Sequence, residues 1–332
     1  MTEIKNKLNV SASPHVRSPK TVRGIMLDVI IALCPALIAS VFLFGPRALA
    51  VTAVCVGVCV LSEYLSRKIM KRSNTTGDLS AIVTGMLLAF NLPASVPLWI
   101  AAIGSVAAIV VVKQLFGGIG QNFVNPALAG RIILLTSFPT AMATWVKPLS
   151  WKTAAVTSAT PLASMYNEAG EFSKDALPSL TDMLIGNRGG CLGEVCAIAL
   201  IIGGLYLVIR KIISPVIPLT FVGTVAVFMA IYGKFDFTFV AYQLLSGGLL
   251  LGAIFMATDY TTSPISFKGK IIYGIGCGLV TSLIRCFGNL PEGVSFAIVL
   301  MNILVPHIEN LTTPKPFGTP KKEKKAKEEK TA

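Results

Sequence analysis

The chain has 332 residues, 53% of them hydrophobic and 14% charged, with a formal net charge of +13 and a mean hydropathy of +0.71. This composition excludes a soluble globular domain. A hydrocarbon-spanning helix takes about 20 apolar residues, so roughly ten spans use up the length and a soluble enzyme on a membrane anchor is excluded as well. The charge does not point to nucleic acid, because it sits in three clusters: Lys5, Lys7, Arg17, Lys20 and Arg23, then Arg67, Lys68, Lys71 and Arg72, then seven Lys between Lys315 and Lys330. Basic clusters beside apolar runs are what cytoplasmic retention of such loops produces.

In chain order, residues 1–23 read as a cytoplasmic N-terminal segment, too polar for a secretory leader. Windows of about 19 residues place spans near 24–44, 47–66, 79–92, 96–116 and 126–138. After an external loop, 139–191, a second set follows near 192–209, 215–232, 237–258, 270–287 and 294–308, and a Lys-rich tail, 311–332, closes the chain. With the N-terminus inside, every strong basic cluster falls on the cytoplasmic side. The long loop falls outside with Lys147, Lys152, Lys174 and Arg188 balancing Glu168, Glu171, Asp175 and Asp182.

The expected fold is an all-α polytopic membrane protein in which two five-helix repeats, 24–138 and 192–310, run oppositely through the bilayer. The third span has Gly85, Ala89 and Asn91 before Pro93, and the eighth has Gly252 and Ala257 before Thr258, Asp259 and Pro264. Interrupted spans at matching places point to a ligand or ion site at the repeat interface, where freed carbonyls need polar partners. None of the seven Cys forms a CxxC, so no metal site built by this chain alone is expected.

Three polar segments stand out. The first, Gly117 to Ala127, holds Gly118, Gly120, Asn122 and Asn125 before Pro126; glycines admit a ligand close to backbone and Asn offers both donor and acceptor, whereas a plain membrane turn needs no paired Asn. In the second, Ala257 to Pro264, Asp259 is ringed by Thr261 and Thr262, a set able to hold a cation or simply to cap backbone. The third, Thr157-Ser158-Ala159-Thr160-Pro161, reads on physical grounds as a helix start capped by Thr160. Further candidates for an ion path are Asp78 and Glu63. Glu63 precedes Arg67 by four residues and can form a helical ion pair, and Asp28 reads as interfacial.

Thr157-Ser158-Ala159-Thr160 resembles the Ser/Thr-Gly-Ala-Thr motif on which a flavin transferase fixes FMN through a phosphodiester to the last Thr; Ser158 stands where Gly is usual, and Ala154 where an acidic residue often precedes. With the GGIGQNFVNPA segment, TDYTTSP and ten spans, the chain from about residue 15 to 310 resembles the D subunits of the Rnf complex, the ion-translocating ferredoxin:NAD oxidoreductase. Their homologues are the B subunits of the sodium-translocating NADH:quinone oxidoreductase. The resemblance implies covalent FMN on an external Thr160, and riboflavin as a second, non-covalent flavin near Asn122 and Asn125. It also implies electron transfer coupled to Na+ or H+ movement in the cell membrane, with other membrane and peripheral Rnf subunits and the flavin transferase as partners. The chain then takes part in catalysis only within the complex, and no catalytic residue of its own is expected. A secondary transporter or channel for a small polar solute is the alternative, and a purely structural scaffold a third reading; neither needs a flavin on Thr160.

Overall fold

The computed structural model describes residues 20–152, 157, 159–165, 172, 177–288 and 292–314. Helices dominate; isolated β-bridges pair Pro93 with Cys191 and Val146 with Thr157. The all-α expectation is thus met among the described residues. In order, the helices are α1 (Val22–Phe44), α2 (Pro46–Ile69), α3 (Ser80–Phe90), α4 (Leu98–Val106), α5 (Pro126–Ser137), α6 (Pro139–Met142), α7 (Leu180–Ile185), α8 (Ala197–Ile209), α9 (Val216–Tyr232), α10 (Phe237–Leu245), α11 (Leu249–Leu251), α12 (Phe267–Phe287) and α13 (Val294–Thr312). Two π-helical stretches, Ala107–Gln114 and Gly252–Met256, continue α4 and α11.

Four described helices, α1, α2, α12 and α13, are each long and apolar enough to cross a bilayer, and a fifth arises if α10 and the segment Leu249–Met256 are joined across their 63° bend. The remaining apolar segments, α3, α4 with its π continuation, α5, α8 and α9, are shorter than 18 residues. Local chemistry sets several boundaries. The Thr21 hydroxyl accepts from the Gly24 N–H at 3.1 Å to open α1, and Ser266 does the same for Gly269 at 3.0 Å at the start of α12. Asn125 accepts from the Ala127 N–H at 3.0 Å with Pro126 in the first turn of α5, the role anticipated for that proline.

Close packing follows small residues. Gly203 lets α8 lie on the backbone of α1 at Ala32, and Gly274 and Gly278, four apart on α12, receive Thr220 and Thr224 of α9. On α9 the buried positions Ile217, Phe221, Val225 and Met229 form one stripe at i, i+4 spacing, while Leu219 and Val227 of the opposite face are 70% and 63% exposed. Such a face is stable only against lipid or another subunit. One apolar core joins both halves of the chain, running from Leu33 and Leu88 through Phe221 to Tyr273; across it α1 packs on α8 and α5 on α13.

The eighth apolar segment is indeed interrupted, but upstream of the expected place. The break is at Ser246 to Gly248, where Gly247 and Gly248 both take φ of 67°, a left-handed conformation that residues with a Cβ adopt at a cost. Freed carbonyls there are met by Arg285 of α12, whose guanidinium donates to the C=O of Gln243 (2.6 Å) and of Ser246 (2.9 Å). Gly252 and Ala257 instead lie within and just after the π-helical stretch.

Candidate functional site

A cavity of about 370 Å³ opens where the two polar segments flanking α5 and α11 meet. Gly120, Asn122 and Asn125 line it from one side and Asp259, Tyr260 and Thr261 from the other. Apolar walls come from α1 and α3, among them Met26, Val29 and Leu87, and from Phe255. Both π-helical stretches border it, through Lys113 and Phe255; π turns leave carbonyls out of register and recur at ligand sites. The volume lies in the range of small-molecule sites, roughly 300–1,000 Å³.

Its polar rim is built by specific bonds. Asn125 donates from Nδ2 to the Met256 C=O at 3.3 Å, tying α5 to the end of the π stretch. Asn122 donates to the Val124 C=O at 3.1 Å. The Asp259 carboxylate accepts from the hydroxyls of Thr261 (3.0 Å) and Thr262 (3.2 Å). Loss of water around this half-buried carboxyl raises its pKa, against the lowering effect of those two hydroxyls. The Tyr260 hydroxyl bonds the Ile212 C=O beyond α8. Asn302 of α13, with its amide oriented to satisfy its neighbours, accepts from the Asn125 N–H and donates to the Thr262 C=O, each at 3.1 Å. It links the two segments and carries no sequence signature.

Behind the cavity lies a buried ion pair. Lys113 Nζ sits 3.0 Å from Glu63 Oε2 and donates to the Ser80 hydroxyl at 2.6 Å. Gln114 Nε2 (3.0 Å) and the Thr75 hydroxyl (2.8 Å) donate to Glu63 Oε1. Glu63 is therefore not the helical partner of Arg67: it is fully buried and bonds across the bundle, while the Arg67 guanidinium packs on Gly118. Gly118, at φ 108°, contributes to this packing rather than to the cavity wall. Asp78 also stays outside the cavity, accepting from the Ser80 N–H at 2.8 Å at the start of α3. Asp28 meets the Tyr206 hydroxyl at 2.8 Å and Arg210 at 3.3 Å.

On the far side of the bend, Thr160 is 6% exposed, whereas Thr157 and Ala159 are exposed; Ser158 and Ala154 lie outside the described residues. Thr160 Oγ1 accepts from the Ala163 N–H at 3.4 Å, so the hydroxyl does cap, but Pro161 leads into a single turn and not a helix. The next residues seat this turn on the broken helix: Leu162 packs over Gly247, and Met165 Sδ accepts from Gln243 Nε2 at 3.1 Å.

A family model described as NQR2, RnfD, RnfE matches residues 9–318. The chain belongs to that family. It is 49% identical over 327 residues to the D subunit of the Na(+)-translocating ferredoxin:NAD(+) oxidoreductase complex of Acetobacterium woodii, covering 97% of this chain and 99% of the relative. It is 41% identical to the D subunit of the proton-translocating ferredoxin:NAD(+) oxidoreductase complex of Clostridium ljungdahlii, covering 95% and 97%. The D subunit of the ion-translocating oxidoreductase complex of Stutzerimonas stutzeri is 38% identical, covering 90% and 92%. The resemblance to Rnf D subunits drawn from GGIGQNFVNPA and TDYTTSP is thus met over nearly the whole chain, and in this chain the two segments converge on one cavity.

Proposed function

We propose that this chain is a membrane electron-transfer subunit of an ion-translocating ferredoxin:NAD oxidoreductase, carrying FMN on Thr160 and riboflavin in the cavity bordered by Asn122 and Asn125. Family membership and the D-subunit relatives support the complex. The observation that carries the second flavin is the cavity itself, whose apolar walls and amide-rich rim suit a flat heterocycle with polar edges. When bound, the flavins supply the one- and two-electron redox chemistry that side chains lack.

The chain's own residues position and insulate. Asn125 and Asn302 fix the segment facing the cavity, and Met26, Val29 and Phe255 keep water from its inner wall. Lys113 brings a positive charge to the rim, held by Glu63. The Thr160 turn rests on the bend at Gly247, and Leu249–Met256 bridges from that bend to the cavity, whose wall Phe255 lines. Thr160 is buried, so attachment requires the turn from Thr160 to Met165 to lift before the flavin transferase reaches the hydroxyl. In our reading the chain makes ten membrane passages as two inverted repeats, with both termini cytoplasmic and Thr160 external. The pairing of α2 with α4, α9 with α12, α1 with α8 and α5 with α13 supports it. Na+ or H+ is the coupled ion, as the two ferredoxin:NAD(+) relatives named above divide between them, and Asp259 with Thr261 and Thr262 is the polar group placed to meet it at the cavity.

The test is peptide mass spectrometry of the subunit purified with its complex and its flavin transferase. The fragment with Thr160 should gain the mass of one FMN less water, and acid should release a separate riboflavin. Unmodified Thr160 beside a transferase that modifies another substrate would refute the covalent assignment and leave a solute transporter as the better account of the cavity.

A further inference from the structure

Among the described residues that line the cavity, Lys113 is the one cation and Asp259 the one acid. Lys113 is 3% exposed and lies in the π-helical stretch that continues α4. Glu63 of α2 holds its ammonium at 3.0 Å, and the hydroxyl of Ser80, which opens α3, accepts from it at 2.6 Å. An ammonium carries three protons, and the third has no acceptor among the described residues. Lys113 lines the cavity whereas Glu63, fully buried, does not. The pair is therefore a dipole with its positive end on the cavity wall and its negative end behind that wall. Gln114 and Thr75 donate to Glu63 Oε1, so part of the carboxylate charge is met from behind and the ammonium is left less neutralised. The Asp259 carboxylate on the opposite wall is likewise occupied, by the hydroxyls of Thr261 and Thr262.

We propose that Lys113 sets the reduction potential of the flavin in this cavity by favouring its negatively charged reduced form. The inference rests on the second-flavin reading above. Reduction of a flavin by one electron without a proton adds one negative charge, and the electron comes from the donor that feeds the chain. A fixed ammonium in a cavity with apolar walls stabilises that charge over the neutral oxidised form. By linkage, the cavity then holds the reduced cofactor more tightly than the oxidised one, and by the same factor. Burial keeps salt from screening the effect. At an effective dielectric of about 20, a unit charge shifts such an equilibrium tenfold at roughly 12 Å and more at shorter range, so the flavin need not touch Lys113.

The test is a spectroelectrochemical titration of the full chain carrying Thr160→Ala and saturated with riboflavin, so that the cavity flavin is its one flavin. Lys113→Met should make one-electron reduction at least about tenfold less favourable, a midpoint lower by about 59 mV, and should weaken binding of reduced riboflavin more than of oxidised. Lys113→Arg, which keeps the charge, should restore most of that loss. Because Lys113→Met strands Glu63, the double variant Lys113→Met with Glu63→Gln decides where the single variant does not fold. It should show a smaller fall of the same sign, at least about threefold, since both ends of the dipole are gone. An unchanged midpoint in the Met variants at full occupancy, equal loss of affinity for both forms, or an Arg variant that falls as far as Met overturns the inference and leaves the flavin reading standing. A Thr160→Ala chain that binds no riboflavin refutes the second flavin itself, and the inference with it.

Discussion

Replacing Lys113 by Met removes the ammonium and leaves Glu63 Oε2 facing no cation, in a position that is fully buried. Oε1 keeps its bonds from Gln114 and Thr75, so the carboxylate is still half-satisfied and is not expelled. Breaking a buried pair from one side costs about 3–5 kcal/mol, chiefly because the remaining charge is stranded away from water. At roughly 2 °C per kcal/mol for a chain of this size, the unfolding midpoint should fall by about 6–10 °C. Removing both charges in Lys113→Met with Glu63→Gln should restore part of that loss, because a neutral amide still accepts from Thr75 and no longer needs a counter-ion. A coupling of about 1–3 kcal/mol is expected for such contacting groups. The assay is intrinsic tryptophan fluorescence of the purified subunit or complex on heating, with each single variant and the double variant. Additive losses would refute the reasoning, since they would mean that the two charges do not depend on each other for burial.

Four further outcomes rest on other contacts. Arg285→Lys keeps the charge but cannot span the carbonyls of Gln243, Ser246 and Gly247 at once, and should cost about 1–3 kcal/mol, read as faster hydrogen exchange at Ser246 to Gly248. Gly85→Ala would put a Cβ 2.7 Å from Val56 Cα, so α2 and α3 should separate at a cost of about 1–3 kcal/mol, visible as a lower unfolding midpoint. Asn125→Ala removes both the cap of α5 and the bond to Met256; under the proposed flavin assignment it should lower acid-releasable riboflavin and leave the proposed FMN on Thr160 unchanged. The raised Asp259 carboxyl favours the folded chain when protonated, so that contribution is complete at low pH and is lost as pH rises through the folded pKa. Asp259→Asn should therefore gain on wild type as pH rises above the ordinary carboxylate range, about pH 4, checked by paired unfolding midpoints.

Helical character and the polar segments are legible in the sequence because each rests on local composition. Apolar runs announce the helices, Asn125-Pro126 announces the start of α5, and the two segments that share one cavity, 130 residues apart, are each marked by their own polar composition. What is illegible depends on long-range pairing. Glu63 has a plausible partner four residues away, yet the lower-energy solution lies fifty residues on, at Lys113, where both charges can be buried together. The bend at Gly247 and Gly248 falls earlier than local composition suggests because a buried guanidinium from α12, not neighbouring sequence, satisfies the carbonyls that the bend exposes.

Both interrupted segments end against a buried guanidinium, Arg131 at Asn91 and Arg285 at Ser246. A helix C-terminus carries partial negative charge on its unpaired carbonyls, and Arg, always charged and planar, can hold several acceptors without being deprotonated. The two solutions are not copies, since Arg131 comes from α5 and Arg285 from α12, the penultimate long helix of the chain. That asymmetry has a functional consequence. Arg285 spends its charge on backbone and holds the bend under the Thr160 turn, a fixed platform. Arg131 spends its charge on the side chains of Glu292 and Asn91, and so ties α5 to the end of α3 and to the segment before α13.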